Sequence, residues 1–318
     1  MPSKILIVGA CGQIGSELTQ ALRDIHGKDA VIASDIKPST SSELSGEFFE
    51  ILDATDYENF KTVVTKHDVD TVYMMAAMLS GTAEKFPEKG WDLNMTSLFN
   101  VLNLGKEKLV NKIFWPSSIA VFGPTTPKVD TPQQTIMEPT TVYGISKQAG
   151  ERWCAYYYKR YGVDVRSIRY PGLISYKTPP GGGTTDYAIE IFHEALKSSS
   201  YTSFLSKDTA LPMMYMDDAI QATIAIMDAP AESIKIRSSY NLSGLSFTPE
   251  ELYAEIKNHI PGFEISYESD FRQAIADSWP DSIDDSEAKS DWGWKKDYDL
   301  EMTVKAMLAG VKSLKKVN

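Results

Sequence analysis

The sequence predicts an α/β fold, because short apolar runs alternate with longer segments of helical periodicity as far as residue 169. Parallel strands need crossovers of this length, and right-handed crossovers produce a doubly wound parallel sheet of the Rossmann type. After Arg169 a loop rich in proline and glycine, a helix over Thr185–Leu196 and shorter elements predict a smaller C-terminal lobe. The predicted strands are Lys4–Val8, Val31–Asp35, Phe48–Leu52, Thr71–Met75, Lys112–Pro116 and Val165–Arg169, and the predicted helices between them are Ser16–Arg23, Ala54–Lys66, Asp92–Leu109 and Val142–Tyr161.

The first strand leads into a glycine-rich turn. The run Lys4–Val8 is followed directly by Gly9-Ala-Cys-Gly-Gln-Ile-Gly15 and then by a helical pattern. Glycines at these positions permit a tight turn and a close approach of a pyrophosphate to the backbone, and the helix N-terminus supplies free amides. A glycine-rich turn without a ligand is the alternative. The predicted cofactor contacts in this turn are Gly9, Gly12, Gln13, Ile14 and Gly15.

The second strand ends in Asp35, about 20 residues past Gly15. A carboxylate at this place is typical of a residue that hydrogen-bonds the ribose of a dinucleotide, and it repels a 2′-phosphate. The sequence therefore predicts NAD rather than NADP as the cofactor. Lys37 softens this preference without reversing it.

The predicted helix Val142–Tyr161 carries Tyr143 and Lys147, which lie four residues apart and therefore on one face. Pro139, Thr140 and Thr141 signal its start, and Gly162 signals its end. A free tyrosine has a pKa near 10, too high for an efficient base at neutral pH. A lysine cation at this spacing favours the phenolate by roughly 2–3 kcal/mol at an effective dielectric constant of about 20, so we expect Lys147 to lower the pKa of Tyr143.

Two hydroxyls, Ser117 and Ser118, follow the predicted strand Lys112–Pro116. They stand at its carboxyl end, which is the edge of an open α/β sheet where ligands bind. A hydroxyl there can donate to a substrate oxygen while Tyr143 exchanges the proton. We favour Ser118 for this role and keep Ser117 as the alternative; a serine-rich turn that caps a helix is the structural explanation.

The motifs Gly-x-x-Gly-x-x-Gly, Ser-Ser-x-x-Val-Phe-Gly and Tyr-x-x-x-Lys, in this order and spacing, resemble the extended short-chain dehydrogenase/reductases. Later segments are more specific and resemble the family of short-chain-type L-threonine 3-dehydrogenases. The resemblance extends from residue 1 to about residue 310. The later segments are Tyr170-Pro-Gly-Leu-Ile-Ser175, Pro180-Gly-Gly-Gly-Thr-Thr-Asp-Tyr-Ala188, Leu211-Pro-Met-Met-Tyr-Met216 and Ser278-Trp-Pro-Asp-Ser-Ile-Asp-Asp-Ser286.

The resemblance implies hydride transfer from the β-carbon of L-threonine to NAD, giving 2-amino-3-oxobutanoate. Tyr143 is then the base, Lys147 also holds the nicotinamide ribose, and Ser118 donates to the substrate oxygen. A sugar-nucleotide epimerase or dehydratase on the same fold is the alternative enzyme; it needs basic groups for a second pyrophosphate, for which Lys177, Lys197 and Lys207 are available. A non-catalytic NAD(H)-sensing protein is the third possibility, but it has no need of the three catalytic groups.

We therefore predict an NAD-binding Rossmann domain at residues 1–172, to which about 215–237 return, and a substrate-binding lobe at 173–214 and 238–318. Each further cofactor contact has a structural alternative. Asp53 contacts the adenine or caps a helix, and Ala76 and Ala77 admit the dinucleotide or pack in the core. By resemblance, Asn94 orients an active-site water and Lys147, with an exposed helix residue as the alternative. The superfamily also places Pro171 and Gly172 against the nicotinamide carboxamide.

The resemblance implies a substrate pocket that adds Ser80, Thr185 and the loop Gly181–Gly183 to Ser118 and Tyr143. Thr184 competes with Thr185, which we prefer. Arg169 either reaches the substrate carboxylate or forms a buried ion pair. Two further sets are interpreted as structural: Met213, Met214 and Met216 as core, and the acidic segment Trp279–Trp294 as turns and helix caps.

Composition limits the remaining classes of function. A net charge of −11 provides no basic surface for nucleic acid or an anionic membrane. No apolar run approaches the length that spans a bilayer, and Cys11, Cys154 and four scattered histidines form no metal-ligand pattern. With a first strand that begins at once and no targeting segment, we expect a cytoplasmic protein. The resemblance implies a homodimer formed through the Tyr143 helix and its predecessor, with Gly150 permitting close helix approach.

Overall fold

The computed structural model describes residues 4–181 and 183–317 of the chain. Gly182, in the predicted substrate loop, lies outside the described residues. The chain divides into two compact units, and the division differs from the predicted bounds chiefly at residues 119–139. The first unit comprises Met1–Ser118, Thr140–Arg169 and Ile220–Tyr240, and the second comprises Ile119–Pro139, Tyr170–Ala219 and Asn241–Asn318.

The first unit is built on a six-stranded parallel sheet in the order β3-β2-β1-β4-β5-β7, which confirms the predicted Rossmann-type fold. Three shorter strands, β12, β8 and β6, form a further sheet. The elements up to residue 170 are β1 (Lys4–Val8), α1 (Gln13–His26), β2 (Val31–Asp35), β3 (Phe49–Ile51), α2 (Tyr57–His67), β4 (Val69–Met74), α3 (Ser80–Lys85), α4 (Pro87–Lys106), β5 (Lys112–Phe114), β6 (Ser117–Ser118), α5 (Val142–Tyr161), β7 (Asp164–Arg166) and β8 (Ile168–Tyr170).

The topology of this sheet positions the ligand-binding edge. β1 is almost wholly apolar and buried, and it pairs with β2 on one side and β4 on the other. The strand order reverses between β1 and β4, so the connections that leave their carboxyl ends run to opposite faces of the sheet. This divergence opens a crevice at the place where the glycine-rich turn follows β1.

The helix α5 begins and ends where the sequence predicts. Thr141 precedes it in extended conformation, and its side-chain oxygen accepts a hydrogen bond from the Gly144 amide at 3.0 Å. Gly162 ends the helix in the left-handed region, at φ 69°. These two caps fix the first turn of the helix, on which Tyr143 lies, relative to the preceding chain.

Three local features differ from the predictions. The expected strand Val165–Arg169 divides at Ser167 into β7 and β8, which belong to different sheets. The short helix α3 was missed because its six residues are too few to give a periodic pattern. The following helix starts earlier than predicted, since Pro87 occupies its first turn, where a missing amide costs nothing.

The second unit contains two smaller sheets, in the orders β13-β11-β9 and β10-β14. Residues 119–139 belong to this unit because they bond within it: the Thr131 amide donates to the Ser282 carbonyl, and the Asn241 amide donates to the Gln133 side chain. The remaining elements of the chain are β9 (Gly172–Ile174), α6 (Tyr187–Ala195), β10 (Ser200–Ser203), β11 (Leu211–Tyr215), α7 (Met216–Asp228), β12 (Tyr240–Asn241), β13 (Leu245–Phe247), α8 (Pro249–His259), β14 (Glu264–Tyr267), α9 (Arg272–Ala276), α10 (Ser286–Trp292) and α11 (Leu300–Val317).

Gly150 lies inside the first unit rather than on a face open to a partner. A Cβ atom built on it would lie 2.3 Å from the ring of Trp115 and 3.1 Å from Leu98. Its small size therefore serves packing between α5 and residues of the same unit. Gly150 thus permits the close approach of α5 to α4 and to Trp115 within one chain.

We predict that Gly150→Ala destabilises the protein by about 1–3 kcal/mol, because the added methyl overpacks a rigid indole. Gly262→Ala is the matched control, since a Cβ at Gly262 meets nothing within 4 Å. Denaturant unfolding of both variants measures the difference. Equal stability of the Gly150 variant and the parent would mean that Trp115 moves without cost.

Candidate active site

The turn between β1 and α1 requires glycine at two positions. Gly9 has φ +88°, and a Cβ on it would lie 2.7 Å from the Ala76 amide nitrogen. A Cβ on Gly15 would lie 2.1 Å from the Gly9 carbonyl oxygen. The first glycine thus lets the turn approach the end of β4, and the second lets α1 approach the turn.

The start of α1 has the properties of an anion-binding site. Gly12 stands before its first residue, no side chain caps the helix, and no acidic residue lies in its first turn. A Cβ on Gly12 would meet only the Gly9 carbonyl, at 3.3 Å, so the space in front of the helix is open. Free amides of the residues from Gln13 and Ile14 onward and the positive end of the helix dipole suit a pyrophosphate.

Asp35 is joined to this turn. Its carboxylate accepts hydrogen bonds from the Cys11 amide at 2.9 Å and from the Ile36 amide at 2.8 Å. An ionised carboxylate has about four acceptor sites, so capacity remains for two ribose hydroxyls. The open helix end and this fixed acceptor together fit NAD.

Three consecutive residues after β5 are bonded to three successive turns of α5. A hydrogen bond joins the side chains of Ser118 and Tyr143. The Lys147 ammonium donates to the Pro116 carbonyl at 2.6 Å, and the Ser117 hydroxyl donates to Glu151 at 2.7 Å. The structure therefore brings Ser118, Tyr143 and Lys147 together, as the sequence predicts.

The electrostatics of this cluster differ from the sequence-based expectation. Burial raises the pKa of Tyr143 to about 12, against the smaller effect of the Ser118 hydrogen bond. Burial also lowers the pKa of Lys147 to about 7, against the smaller opposing effect of the Glu151 carboxylate. In the protein without cofactor, desolvation thus disfavours charge on both groups, and the effect of Lys147 on the pKa of Tyr143 stays a prediction.

The Ser117 hydroxyl is already hydrogen-bonded within the protein rather than available to a ligand. It is 1% exposed, and its hydroxyl donates to Glu151, which also receives two bonds of 2.8 Å from Arg169. This geometry favours Ser118 over Ser117 for substrate contact and makes Arg169 part of a buried ion pair. Sequence reasoning missed Glu151, whose one signal was its place four residues after Lys147.

Asn94 is buried on α4, so its interpretation as an exposed helix residue was wrong. Its side-chain oxygen accepts from the Met78 amide at 2.7 Å, and its nitrogen donates to the Met78 carbonyl and to Ser146, each at 3.1 Å. It thus ties the loop after β4 to α5, one residue before Lys147. Any effect of Asn94 on Lys147 is therefore indirect and acts through the position of Ser146 on α5.

The other predicted residues of the first unit lie near the ends of its strands. The helix α2 is capped by Asp56, so Asp53 is not the helix cap; one oxygen of Asp53 instead accepts two bonds from Thr55. Ala76 lies against Gly9, and Ala77 follows it, both half-buried. Ser80 begins α3 and is also half-buried.

The predicted residues of the second unit are partly brought together. A Cβ on Gly172 would lie 2.6 Å from the Thr185 methyl, and the preceding Pro171 is buried. Thr184 is only 4% exposed whereas Thr185 is half-buried, which favours Thr185 as a ligand contact. The Gly183 amide donates to Asp186 at 2.8 Å, which holds the end of the loop before α6.

The residues interpreted as structural are buried or serve as caps. Met213, Met214 and Met216 belong to the core. Asp285 accepts from the Trp294 indole at 2.8 Å and from the Ser243 amide. Among the described residues, no group of three or more His, Cys, Asp or Glu is placed to hold a metal ion, and no helix has both the length and the apolar character needed to cross a membrane.

Comparison with known proteins finds close relatives along nearly the whole chain. A Staphylococcus haemolyticus protein described as an uncharacterized epimerase/dehydratase is 50% identical over 310 residues, which is 97% of each chain. The holo form of a GalE-like L-threonine dehydrogenase from Cupriavidus necator is 59% identical, with a TM-score of 0.94 over 97% of this chain and 99% of that one. A monomeric L-threonine 3-dehydrogenase from a metagenome is 47% identical, with a TM-score of 0.93 over 98% and 99%.

The model of the NAD dependent epimerase/dehydratase family matches residues 5–243, which include the glycine turn, the two serines and the Tyr143–Lys147 pair. The match and the relatives confirm the resemblance to the extended short-chain dehydrogenase/reductases. The chain belongs to the NAD dependent epimerase/dehydratase family.

Proposed function

We propose that the protein is an NAD-dependent L-threonine 3-dehydrogenase, which oxidises the β-hydroxyl of L-threonine and yields 2-amino-3-oxobutanoate. The observation that carries the proposal is the cluster in which Tyr143 is hydrogen-bonded to Ser118 and Lys147 to the neighbouring Pro116, in the same unit as a dinucleotide-type turn. Similarity to proteins named L-threonine dehydrogenase, at 47–60% identity, supports the choice of substrate.

The cofactor contacts follow from the first unit. The α1 N-terminus at Gly12, Gln13 and Ile14 holds the pyrophosphate, and Asp35 holds the adenine-side ribose. Lys147 and Asn94 complete the nicotinamide side, with Pro171 and Gly172 as backbone contacts. Two further assignments rest on position alone: Asp53 at the adenine, and Ala76 and Ala77 along the dinucleotide. Bound NAD⁺ supplies the acceptor for the substrate hydride.

Proton transfer is the task of the chain itself. Ser118 donates to the substrate oxygen and orients the hydroxyl toward Tyr143, which accepts its proton. In the protein alone the phenol is neutral at pH 7, because burial raises the pKa of Tyr143 to about 12. Added positive charge beside the ring lowers that pKa, so the base forms when the charged cofactor and a protonated Lys147 face it together.

Substrate recognition is assigned to three further residues. Ser80 at the start of α3, Gly183 and Thr185 contact the amino acid, in addition to Ser118 and Tyr143. Thr185 is preferred to Thr184 because its side chain is the less buried of the two. Arg169 is not assigned to the substrate carboxylate, since its guanidinium is bound to Glu151.

We also propose that two copies associate through α4 and α5. A shallow groove on this face is lined by Pro87, Glu88, Trp91, Asp92, Val142 and Ile145 and is almost wholly apolar. Trp91 and Ile145 are 40% and 44% exposed, and Trp153 and Tyr156 extend the apolar surface along α5. We propose that a second copy of the chain covers this groove. In a two-fold symmetric dimer the same surface of each copy faces its counterpart, so the apolar surface of α4 and α5 in one copy packs against that of the other.

The function is tested by NADH formation with L-threonine and NAD⁺, with L-serine, D-threonine and UDP-sugars in parallel. We expect turnover with L-threonine, and we expect Tyr143→Phe to lose about 10²–10⁴-fold in kcat, because the proton acceptor is removed. Tyr158→Phe, at an exposed position of α5 that is not assigned to the proposed interface, is the matched control and should retain activity.

Three outcomes of this assay oppose the proposal. Turnover of a UDP-sugar without threonine would indicate the sugar-nucleotide enzyme. Binding of NADH without any turnover would indicate the sensing protein. Full activity of Tyr143→Phe would remove this tyrosine from the mechanism.

The cofactor assignment predicts a change of preference. Asp35→Ala should raise the ratio of kcat/KM for NADP to that for NAD by about tenfold or more, since a charge that repels the 2′-phosphate is removed. Asp53→Ala is the comparison, because it should weaken both cofactors equally. An unchanged ratio in the Asp35 variant would refute the ribose assignment.

The assembly proposal predicts that Trp91→Glu dissociates the dimer, because a buried unpaired carboxylate is strongly disfavoured in an interface. Light scattering after gel filtration measures the mass. Phe271→Glu is the control, since Phe271 is exposed and lies in the second unit. A monomeric parent protein, as in the metagenomic relative, would contradict the proposal.

A further inference from the structure

The bonds between α5 and the chain after β5 include one that the proposed reaction does not use. Tyr143, Lys147 and Glu151 lie at four-residue intervals on one stripe of the helix, and they bind Ser118, Pro116 and Ser117 respectively. The first two bonds involve groups assigned to the reaction. The third, between Glu151 and Ser117, lies directly behind them.

Glu151 is fully buried, and both of its carboxylate oxygens accept hydrogen bonds. Its exposed fraction is 0%, and its partner Arg169 is 2% exposed. The Arg169 guanidinium donates to both carboxylate oxygens at 2.8 Å, and Ser117 adds a third donor at 2.7 Å. A bidentate pair of this kind has a fixed geometry, so the carboxylate is a rigid anchor rather than a mobile charge.

We propose that Glu151, held by Arg169, is a positioning residue of the active site: it fixes the segment 116–118 against α5 and so aligns the Ser118 hydroxyl and the Lys147 ammonium with Tyr143. The inference rests on the proposed dehydrogenase function and deepens it. Ser118 is the chain neighbour of Ser117, and displacement of a reacting group by about 1 Å can cost 10²-fold in rate.

A purely structural ion pair is the competing explanation, and the same unit contains one. Arg166 is buried and donates to Asp164, and it also donates to the carbonyls of Ile226, Met227 and Ala229 at the end of α7. Within the described part of the chain, the side-chain hydrogen bonds of this pair go to each other, to Arg237 and to the carbonyls at the end of α7, and none goes to a residue assigned to the reaction. Asp164→Asn is therefore a matched control for Glu151→Gln.

The charge of Glu151 also acts on Lys147. The groups that face the ammonium are Tyr143, Glu151 and Cys154 from α5 and the Trp115 ring, 4.4 Å away. Burial lowers the pKa of Lys147 to about 7, and the Glu151 charge opposes this fall. Removal of the negative charge therefore lowers the pKa of Lys147 further, so the lysine loses its proton at a lower pH.

The experiment compares Glu151→Gln, Ser117→Ala and Asp164→Asn with the parent holoenzyme. We expect Glu151→Gln to lower kcat by about 10²-fold with little change in NADH binding, because alignment rather than cofactor affinity is lost. The descending limb of its pH–rate profile should move to lower pH, as Lys147 deprotonates earlier. Ser117→Ala should lower kcat about tenfold at unchanged KM. Asp164→Asn should reduce thermal stability and leave kcat and both limbs unchanged.

A second readout needs no turnover. Because folded Lys147 has a lower pKa than it has in the unfolded chain, the folded state gains stability as the pH rises from about 7 toward the ordinary lysine pKa of 10.5. In Glu151→Gln this gain should begin at a lower pH, and in Asp164→Asn it should begin where it does in the parent. Denaturant unfolding as a function of pH measures the shift.

These readouts separate the possible failures. A parent protein without threonine turnover refutes the proposed function, while the unfolding data still report on Glu151 and Lys147. A Glu151→Gln variant that loses only stability, as Asp164→Asn does, overturns the positioning role. If Glu151→Gln does not fold, Ser117→Ala decides, since unchanged kcat on loss of that hydroxyl overturns the role as well.

Discussion

The candidate active site depends on the registration between α5 and residues 116–118, which follow Trp115 at the end of β5. Tyr143 binds Ser118, Lys147 binds Pro116, and Glu151 binds Ser117, so one placement of the helix satisfies all three bonds and a shift by one residue breaks all of them. Thr141 at the start of the helix limits its sliding by capping Gly144, and the glycine at 150 lets the helix lie directly against the Trp115 ring. Local capping and packing thus set the distances among Tyr143, Ser118 and Lys147, the groups to which the proposed reaction assigns proton transfer.

Tyr143, Lys147 and Glu151 lie buried on one face of α5, and burial of their charged forms costs desolvation free energy. This cost indicates that the charged groups have a role. Ion pairs buried in a protein interior contribute little net stability, because desolvation offsets their attraction. Arg166 has an evident structural use, since its guanidinium satisfies carbonyls that the end of α7 leaves open. Glu151 satisfies no helix end; its bonds go to Arg169 and to the serine beside Ser118. The placement of Glu151 is therefore better explained by the reacting groups than by the fold.

Much of the fold and the cofactor turn was predictable because their signals are local. The apolar runs, the spacing of Gly9, Gly12 and Gly15, and the acid at the end of β2 each depend on residues close in sequence. The Glu151–Arg169 pair and the bonds of Asn94 were not predictable. They join residues that are 16 to 52 positions apart, and no periodic pattern in the sequence connects such residues. The raised pKa of Tyr143 was not predictable for another reason: spacing gives the attraction between two side chains but not how far both are removed from water.

Gly172 in the second unit makes room for side chains rather than for a turn, as Gly150 does in the first unit. Gly172 has no Cβ, and the space is taken by the Thr185 methyl and the Met213 sulfur, each of which an added carbon would approach within 2.6 Å. The position of Thr185 is thus set by the start of β9, although the loop before it is rich in glycine. Because Gly183 is tied to Asp186 at the other side, Thr185 is held between two fixed points. A half-buried hydroxyl held in this way is suited to recognise a ligand, whereas the buried Thr184 is suited to support it.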